Sequence, residues 1–344
     1  MRTILLNPGP VTLSDGVRSA LTRPDLCHRE REFAELQNGL RQKLLDVYAL
    51  DARDWAAVLL TGSGTAAVEA MLLSCVPLDG RVLVLENGVY GERMQRILKA
   101  GGIEHHSISA AWGETISAAA VGEALHNNTF THLAVVHHET TTGRLNPLAD
   151  IAAVCREAGV GMLIDGVSSF AAEHLDFDSW PVDACAATAN KCLHGVPGTA
   201  FVVTRRQALA AADGASRTVY LNLSDYLRSQ DQHGTPFTQS VQTFYALDQA
   251  LDEFFAAGGW QQRQQLFRAR MTQIGETLST LGVRPLLPAG LSSCVLQAFI
   301  LPEGHSYSAL HDALKARGFI IYAGQGALSK QVFRISAMGD IQAD

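Results

Sequence analysis

Lysine is scarce in this chain: among 344 residues only Lys43, Lys99, Lys191, Lys315 and Lys330 carry an ε-amine. Four of them stand in helix-like, Arg- and Glu-rich or Gly- and Ser-flanked surroundings that read as solvated. Lys191 is different, because it sits at the centre of Val182 to Val203, a run of small and apolar residues. A low-polarity setting disfavours the ammonium and draws a lysine pKa toward working pH. Only the neutral amine can attack a carbonyl and form a Schiff base. Gly195, Pro197 and Gly198 then break regular structure, and Thr199 to Val203 reads as a strand. Lys191 therefore belongs to a turn between two strands, from which its side chain can project into a cleft. The rival reading is a surface lysine ahead of an ordinary loop.

Asp165 follows the apolar strand Gly161 to Ile164. A carboxylate there can keep the pyridine nitrogen of pyridoxal phosphate protonated, so that the ring accepts the electron pair released at a substrate carbon; it could equally cap the next turn. Upstream, Thr61-Gly-Ser-Gly-Thr65 lies between a strand and a helix. Its glycines let backbone approach an anion, its N–H groups sit at a helix N-terminus, and the hydroxyls of Ser63 and Thr65 add donors, although a plain capped turn would look the same. The dinucleotide fingerprint GxGxxG and the P-loop GK[ST] are both missing from it. Tyr90, just after another strand, offers either a core ring or a stacking face worth roughly 0.5 to 1.5 kcal/mol. Arg334 is a cation inside the apolar run Val332-Phe-Arg-Ile-Ser336, which demands a bound anion or an internal ion pair. Phosphate turn, carboxylate and lysine, in that order, read together as a pyridoxal phosphate site. His28, His105, His106, His137, His138 and His194 lack metal-ligand spacing with acids, and no metal site is expected.

The elements that must position these residues alternate. Helices are expected at Asp15–Thr22 and Glu32–Ala49, before a strand at Ala56–Leu60. Helix Thr65–Ser74, strand Arg81–Glu86, helix Gly91–Ala100 and strand Ile103–Ser107 come next. A helix near Val121–Leu125, strand His132–Val136, helix Leu148–Ala158 and strand Gly161–Ile164 complete the series. Such alternation predicts an α/β fold with a mainly parallel sheet covered on both faces. Ligands bind beyond the carboxyl ends of such strands, and the polar candidates stand at those ends. Past Thr235 the pattern changes to long helices, Ser240–Ala257 and Trp260–Leu281. Strands Cys294–Ile300, Phe319–Tyr322 and Val332–Ile335 surround a helix at Tyr307–Arg317. A large domain over 1–257 with its N-terminal arm and a smaller α+β domain over 258–344 are expected. Pro8-Gly9-Pro10 suits a pinned, extended arm. The chain ends soon after a strand with no closing helix and reads as clipped or naturally short.

Composition sets the class: 47% apolar, 18% charged and a net charge of −7 fit a globular enzyme and argue against a nucleic-acid partner. No stretch reaches membrane-spanning length and no signal segment opens the chain, so a cytoplasmic location is the simplest expectation. The six cysteines show no CxxC pairing and are expected to be reduced thiols.

Several segments carry a family resemblance. They are Leu6-Asn-Pro-Gly-Pro-Val-Thr12, Leu60-Thr-Gly-Ser-Gly-Thr-Ala-Ala-Val-Glu-Ala70, Asn87-Gly-Val-Tyr-Gly-Glu-Arg-Met94, His138-Glu-Thr-Thr-Thr-Gly-Arg-Leu-Asn-Pro147, Asp165-Gly-Val-Ser-Ser-Phe170, Ala189-Asn-Lys-Cys-Leu-His-Gly-Val-Pro-Gly198 and Phe333-Arg-Ile335. Through them the chain resembles the class V aminotransferases of pyridoxal phosphate fold type I, most of all the branch exchanging an amino group between 2-aminoethylphosphonate and pyruvate. The resemblance implies a seven-stranded large domain, with Lys191 bound to the cofactor and Asp165 at its ring nitrogen. Tyr90 and Val167 would pack on the ring, Thr140 would lie near its phenolic oxygen, and Ser63, Gly64, Thr65 and Asn190 would hold the phosphate. Thr238 would reach the phosphate from a second subunit of a homodimer, and Arg334 would grip the acidic group of the substrate. Alanine or serine:glyoxylate exchange is the alternative. A lyase or desulfurase of this fold is a further alternative; a desulfurase would need a mobile, exposed cysteine, whereas Cys294 stands at the start of a strand.

Overall fold

The computed structural model describes residues 2–212, 217–288 and 290–342. Seven strands form the central sheet: β1 Trp55–Gly62, β2 Arg81–Glu86, β3 Glu104–Ser109, β4 His132–Val136, β5 Gly161–Asp165, β6 Val182–Thr188 and β7 Gly198–Arg205. Their spatial order is β1-β7-β6-β5-β4-β2-β3. Only β7 runs antiparallel to its neighbours β1 and β6; the remaining adjacent pairs are parallel.

The strand interiors are continuous apolar runs because both faces are covered. Successive side chains alternate between two cores. Leu59, Leu83, Leu133, Ile164 and Phe201 face one; Val58, Leu60, Val84, Ala134 and Leu163 face the other. Helix Gly64–Cys75 buries Ala67, Val68, Met71 and Leu72 on the second face, while Leu40 and Leu44 of helix Arg31–Asp46 and Ile151 of helix Leu148–Ala158 close the first. The parallel strands β1, β4, β5 and β6 thus end at one edge in Gly62, Val136, Asp165 and Thr188. The reversal of β7 brings Gly198 to the same edge, opposite Gly62, so the β6–β7 turn holding Lys191 is placed there by topology.

The N-terminal arm is pinned by pairing: Ile4–Leu5 run parallel to Phe319–Ile320. The segment Phe319–Tyr322 divides where one strand was expected. Phe319–Ile320 pair with the arm, and Tyr322–Ala323 pair with Val332–Ser336, which also pairs with Leu296–Ile300. Ile321 between them is fully buried, and that anchor turns the chain from one sheet to the other. Helices Arg206–Ala211 and Leu223–Asp231, unforeseen from periodicity, pack under β1 and β7. Leu223 and Tyr226 reach the second core. Among the described residues no helix is long and apolar enough to cross a membrane, and all six cysteines are unpaired thiols.

Candidate active site

The Lys191 amine donates to the carbonyl oxygen of Pro8. That approach depends on Gly9, whose φ is +111° and where a Cβ would stand 2.9 Å from Lys191 Nζ. The residue as a whole is only partly buried, but its amine is enclosed, and desolvation pushes the pKa down to about 8. The turn is fixed from behind. His194 N donates to Lys191 O at 2.9 Å, His194 Nε2 accepts from Gly339 N at 2.9 Å, and Arg263 Nη1 donates to Cys192 O at 2.5 Å.

Asp165 closes β5 and is buried. Its Oδ1 accepts from Val167 N at 3.0 Å. Oδ1 therefore closes the turn in a carboxylate that also lines the cleft. Burial pushes its pKa up to about 6, against the opposing pull of the Val167 bond and of the charges on Arg93 and Lys191.

Val167 and Gly64 are in close contact: a Cβ on Gly64 would lie 2.8 Å from Val167 Cγ1. Gly64 opens helix Gly64–Cys75, whose N-cap Ser63 is exposed and makes no capping bond with its hydroxyl. That hydroxyl and the backbone of Gly64 and Thr65 border the cleft at the helix N-terminus, while Ala66 N already donates to Ser63 O at 2.9 Å. Thr65 Oγ1 accepts from Arg93 Nη1 at 3.1 Å. Asn190 accepts from Thr188 Oγ1 at 2.9 Å through Oδ1, so its amide NH2 is left for a ligand. Two lobes of one cleft share Tyr90, Val167 and Lys191. The outer lobe holds Ser63, Gly64, Thr65, Arg93 and Asn190; the inner holds His138, Thr140, Asp165 and Ser168.

In the inner lobe Thr140 Oγ1 is buried without a hydrogen-bond partner, as is Nε2 of His138. The His138 Nδ1 lies 3.3 Å from Ser168 O, which makes Nδ1 the donor and leaves Nε2 a bare acceptor. Tyr90 N donates to Glu139 Oε2 at 3.1 Å. Thr141 N and Oγ1 both donate to Glu139 Oε1, so Glu139 ties the Tyr90 turn to the Thr140 segment. Burial pushes this glutamate up to about 7. Arg334 is buried and bonded to carbonyls: Nε donates to Ala323 O at 2.8 Å and Nη1 to Thr140 O at 2.9 Å. No carboxylate pairs with it among the described residues. Thr238 is exposed and does not line its own chain's cleft.

Of the residues anticipated from sequence, Ser63, Gly64, Thr65, Tyr90, Thr140, Asp165, Val167, Asn190 and Lys191 meet at this edge, with Arg334 behind Thr140. Three others, His138, Glu139 and Arg93, lie in segments that carry the resemblance but have no role of their own in it. Arg93 falls one helical turn after Tyr90, a spacing that shares a face and could have revealed it. Glu139 is marked only as part of the Glu139-Thr-Thr-Thr-Gly143 run, since its own importance comes from the buried donors it collects.

The donor set fits pyridoxal phosphate. A lysine with a near-neutral pKa, a buried carboxylate, an orphaned hydroxyl at Thr140 and a glycine-opened helix terminus match an aldehyde, a pyridine nitrogen, a phenolic oxygen and a phosphate. No cluster of three or more His, Cys, Asp or Glu among the described residues is arranged for a metal.

The aminotransferase class-V family profile matches residues 16–338. A 2-aminoethylphosphonate–pyruvate transaminase of Aeromonas hydrophila is 36% identical over 98% of this chain and 90% of its own. One of Burkholderia pseudomallei is 38% identical over 99% and 93%. Among solved structures, an aspartate aminotransferase of Thermus thermophilus superposes with a TM-score of 0.90 at 29% identity, over 99% of this chain and 94% of that one. An alanine–glyoxylate aminotransferase of Nostoc sp. gives 0.91 at 26%, over 99% and 91%. A cysteine desulfurase of Thermococcus onnurineus, 12% identical with a TM-score of 0.75, shares the fold alone. With a profile match over nearly its whole length and relatives this similar end to end, the chain belongs to the class-V aminotransferase family.

Proposed function

We propose that this enzyme transfers the amino group of 2-aminoethylphosphonate to pyruvate, giving phosphonoacetaldehyde and alanine, with pyridoxal phosphate as its cofactor. The observation that carries the substrate is the end-to-end similarity, at 36 to 38% identity, to transaminases of that name. The cofactor reading rests on the Lys191–Asp165 pair. When bound, pyridoxal phosphate supplies a carbonyl for the amine and a ring that accepts the electron pair left when a proton is removed beside nitrogen. Lys191 Nζ would hold the cofactor, and its amine, with a pKa drawn down to about 8, is placed to move a proton at the amine-bearing carbon. Asp165 keeps the ring nitrogen protonated, while Tyr90 and Val167 confine the ring. Ser63, Gly64, Thr65 and Asn190 hold the phosphate. Arg334, locked by two carbonyls, presents its remaining N–H groups to a phosphonate or a carboxylate, which suits an exchange between two acids.

Exposed Val219, Tyr220 and Phe237 form an apolar surface next to Thr238. This supports a homodimer in which Thr238 completes the phosphate site of a second copy. A cytoplasmic location belongs to the same reading. Mixing the loaded enzyme with 2-aminoethylphosphonate alone should convert the visible absorbance of the lysine-bound cofactor to that of its amine form. Conversion by alanine or serine but not by 2-aminoethylphosphonate would transfer the enzyme to glyoxylate exchange and overturn the substrate.

A further inference from the structure

The outer lobe has a charge problem. Its Ser63, Gly64, Thr65, Thr188 and Asn190 offer hydroxyls, amides and backbone N–H groups but no formal charge. A phosphate ester near pH 7 carries more than one negative charge, and Lys191 is committed to the reacting carbon. One other cation lines this lobe among the described residues, and it is Arg93.

Arg93 is placed by helix Val89–Ala100 one turn after Tyr90. Its guanidinium carbon lies 4.7 Å from the centroid of the Tyr90 ring, and Nη1 donates to Thr65 Oγ1 at 3.1 Å. The side chain thus bridges the aromatic wall and the helix terminus where an anion would sit. It meets no carboxylate at ion-pair distance among the described residues, although arginines facing protein interior normally find one. The Thr65 bond engages Nη1 alone, so the rest of the planar fork is free for phosphate oxygens. The charge also reaches the reacting groups, since Arg93 draws down the pKa of both Asp165 and Lys191.

We propose that Arg93 binds the phosphate ester of the cofactor, and that this cation makes the cleft select the phosphorylated aldehyde over its free alcohol form. This inference rests on the pyridoxal phosphate reading above. The test titrates cofactor-free enzyme with pyridoxal phosphate and, separately, with pyridoxal, following the visible absorbance formed on Lys191. Arg93→Met keeps an apolar stem against Tyr90 and removes the charge. It should weaken pyridoxal phosphate by roughly ten- to hundredfold while changing pyridoxal by less than about twofold. Arg93→Lys should keep most of the preference. In the wild type, added NaCl should weaken pyridoxal phosphate more steeply than pyridoxal. Equal losses for both aldehydes in Arg93→Met would show a residue that only braces Tyr90 and would overturn the proposal. Equal salt slopes in the wild type, a result needing no variant, would overturn it too. A wild type that captures neither aldehyde defeats the cofactor reading itself, and this inference with it.

Discussion

Replacing Asp165 by Asn should make the cofactor-free protein more stable and the loaded enzyme worse. The carboxyl is raised from 3.8 to about 6 by burial. Because the folded pKa lies above the unfolded one, its favourable contribution is complete below pH 3.8 and is lost as pH rises through 6. At pH 8 the ionised, desolvated carboxylate therefore costs about 3 kcal/mol, at about 1.4 kcal/mol per pH unit of displacement. Asn carries no charge, and its Oδ1 can still accept from Val167 N. Unfolding entropy of about 2.1 cal/mol/K per residue amounts to about 0.7 kcal/mol/K for this chain, so the gain should be about 4 °C in Tm. At pH 5 the folded carboxyl is mostly protonated, and the gain should shrink to about half. Calorimetry of cofactor-free wild type and Asp165→Asn at both pH values reads this directly. A pH-independent difference, or a variant less stable at pH 8, would refute the desolvation account. Saturating pyridoxal phosphate should then reverse the order, because only the wild type has a carboxylate to meet a protonated ring nitrogen.

Three further outcomes follow from neighbouring residues. Capture of pyridoxal phosphate by the cofactor-free enzyme should rise with pH and level off with a midpoint near 8, since the Lys191 pKa is lowered and the neutral amine is the nucleophile; a rate still climbing at pH 10 would contradict this, and Lys191→Ala should fold yet form no visible absorbance. Gly9→Ala places a Cβ 2.9 Å from Lys191 Nζ at a φ of +111°, so Tm should fall by the equivalent of about 1 to 3 kcal/mol and cofactor capture should slow about tenfold or more as the amine is displaced. Unchanged capture would remove Gly9 from the site. Glu139→Leu strands the donors of Tyr90 N, Thr141 N and Thr141 Oγ1 at about 1 to 3 kcal/mol each, and thermal melts at pH 8 should show a large loss that Glu139→Gln, which keeps an acceptor, mostly avoids.

Much of the site was legible because its residues carry local marks. Lys191 stands out among few lysines, Asp165 ends an apolar run, and Ser63 to Thr65 mark a strand-to-helix turn. The mainly parallel sheet followed from alternation alone, since buried strands and amphipathic helices have distinct periods. What stayed hidden depended on contacts between distant segments. The reversal of β7 is invisible in Thr199 to Val203, whose apolar pattern is the same in either direction. The division at Ile321 depends on the arm arriving from Ile4–Leu5, more than three hundred residues upstream. His138 and Glu139 stand in a run that carries the resemblance, but only the fold reveals that one has a bare ring nitrogen and the other gathers three donors.

Lys191, Asp165 and Glu139 have one feature in common: burial has moved each pKa toward neutrality, to about 8, 6 and 7. Each displacement penalises the charged form, so the cleft edge is a place where the chain gives up stability that the two apolar cores supply. Groups poised in this way exchange protons readily near pH 7, the condition acid–base chemistry needs. Arg93 and Arg334 add a positive field to a chain whose net charge is −7, concentrating cations where a phosphate ester and acidic substrates would enter. The cost is greatest when the cleft is free of cofactor, because Asp165 is then a buried carboxylate with no protonated ring nitrogen to meet and Arg93 a cation with no phosphate. Loading should therefore stabilise the fold by more than the phosphate contacts alone supply, and pyridoxal, which lacks the phosphate, should recover only the part owed to Asp165 and Lys191.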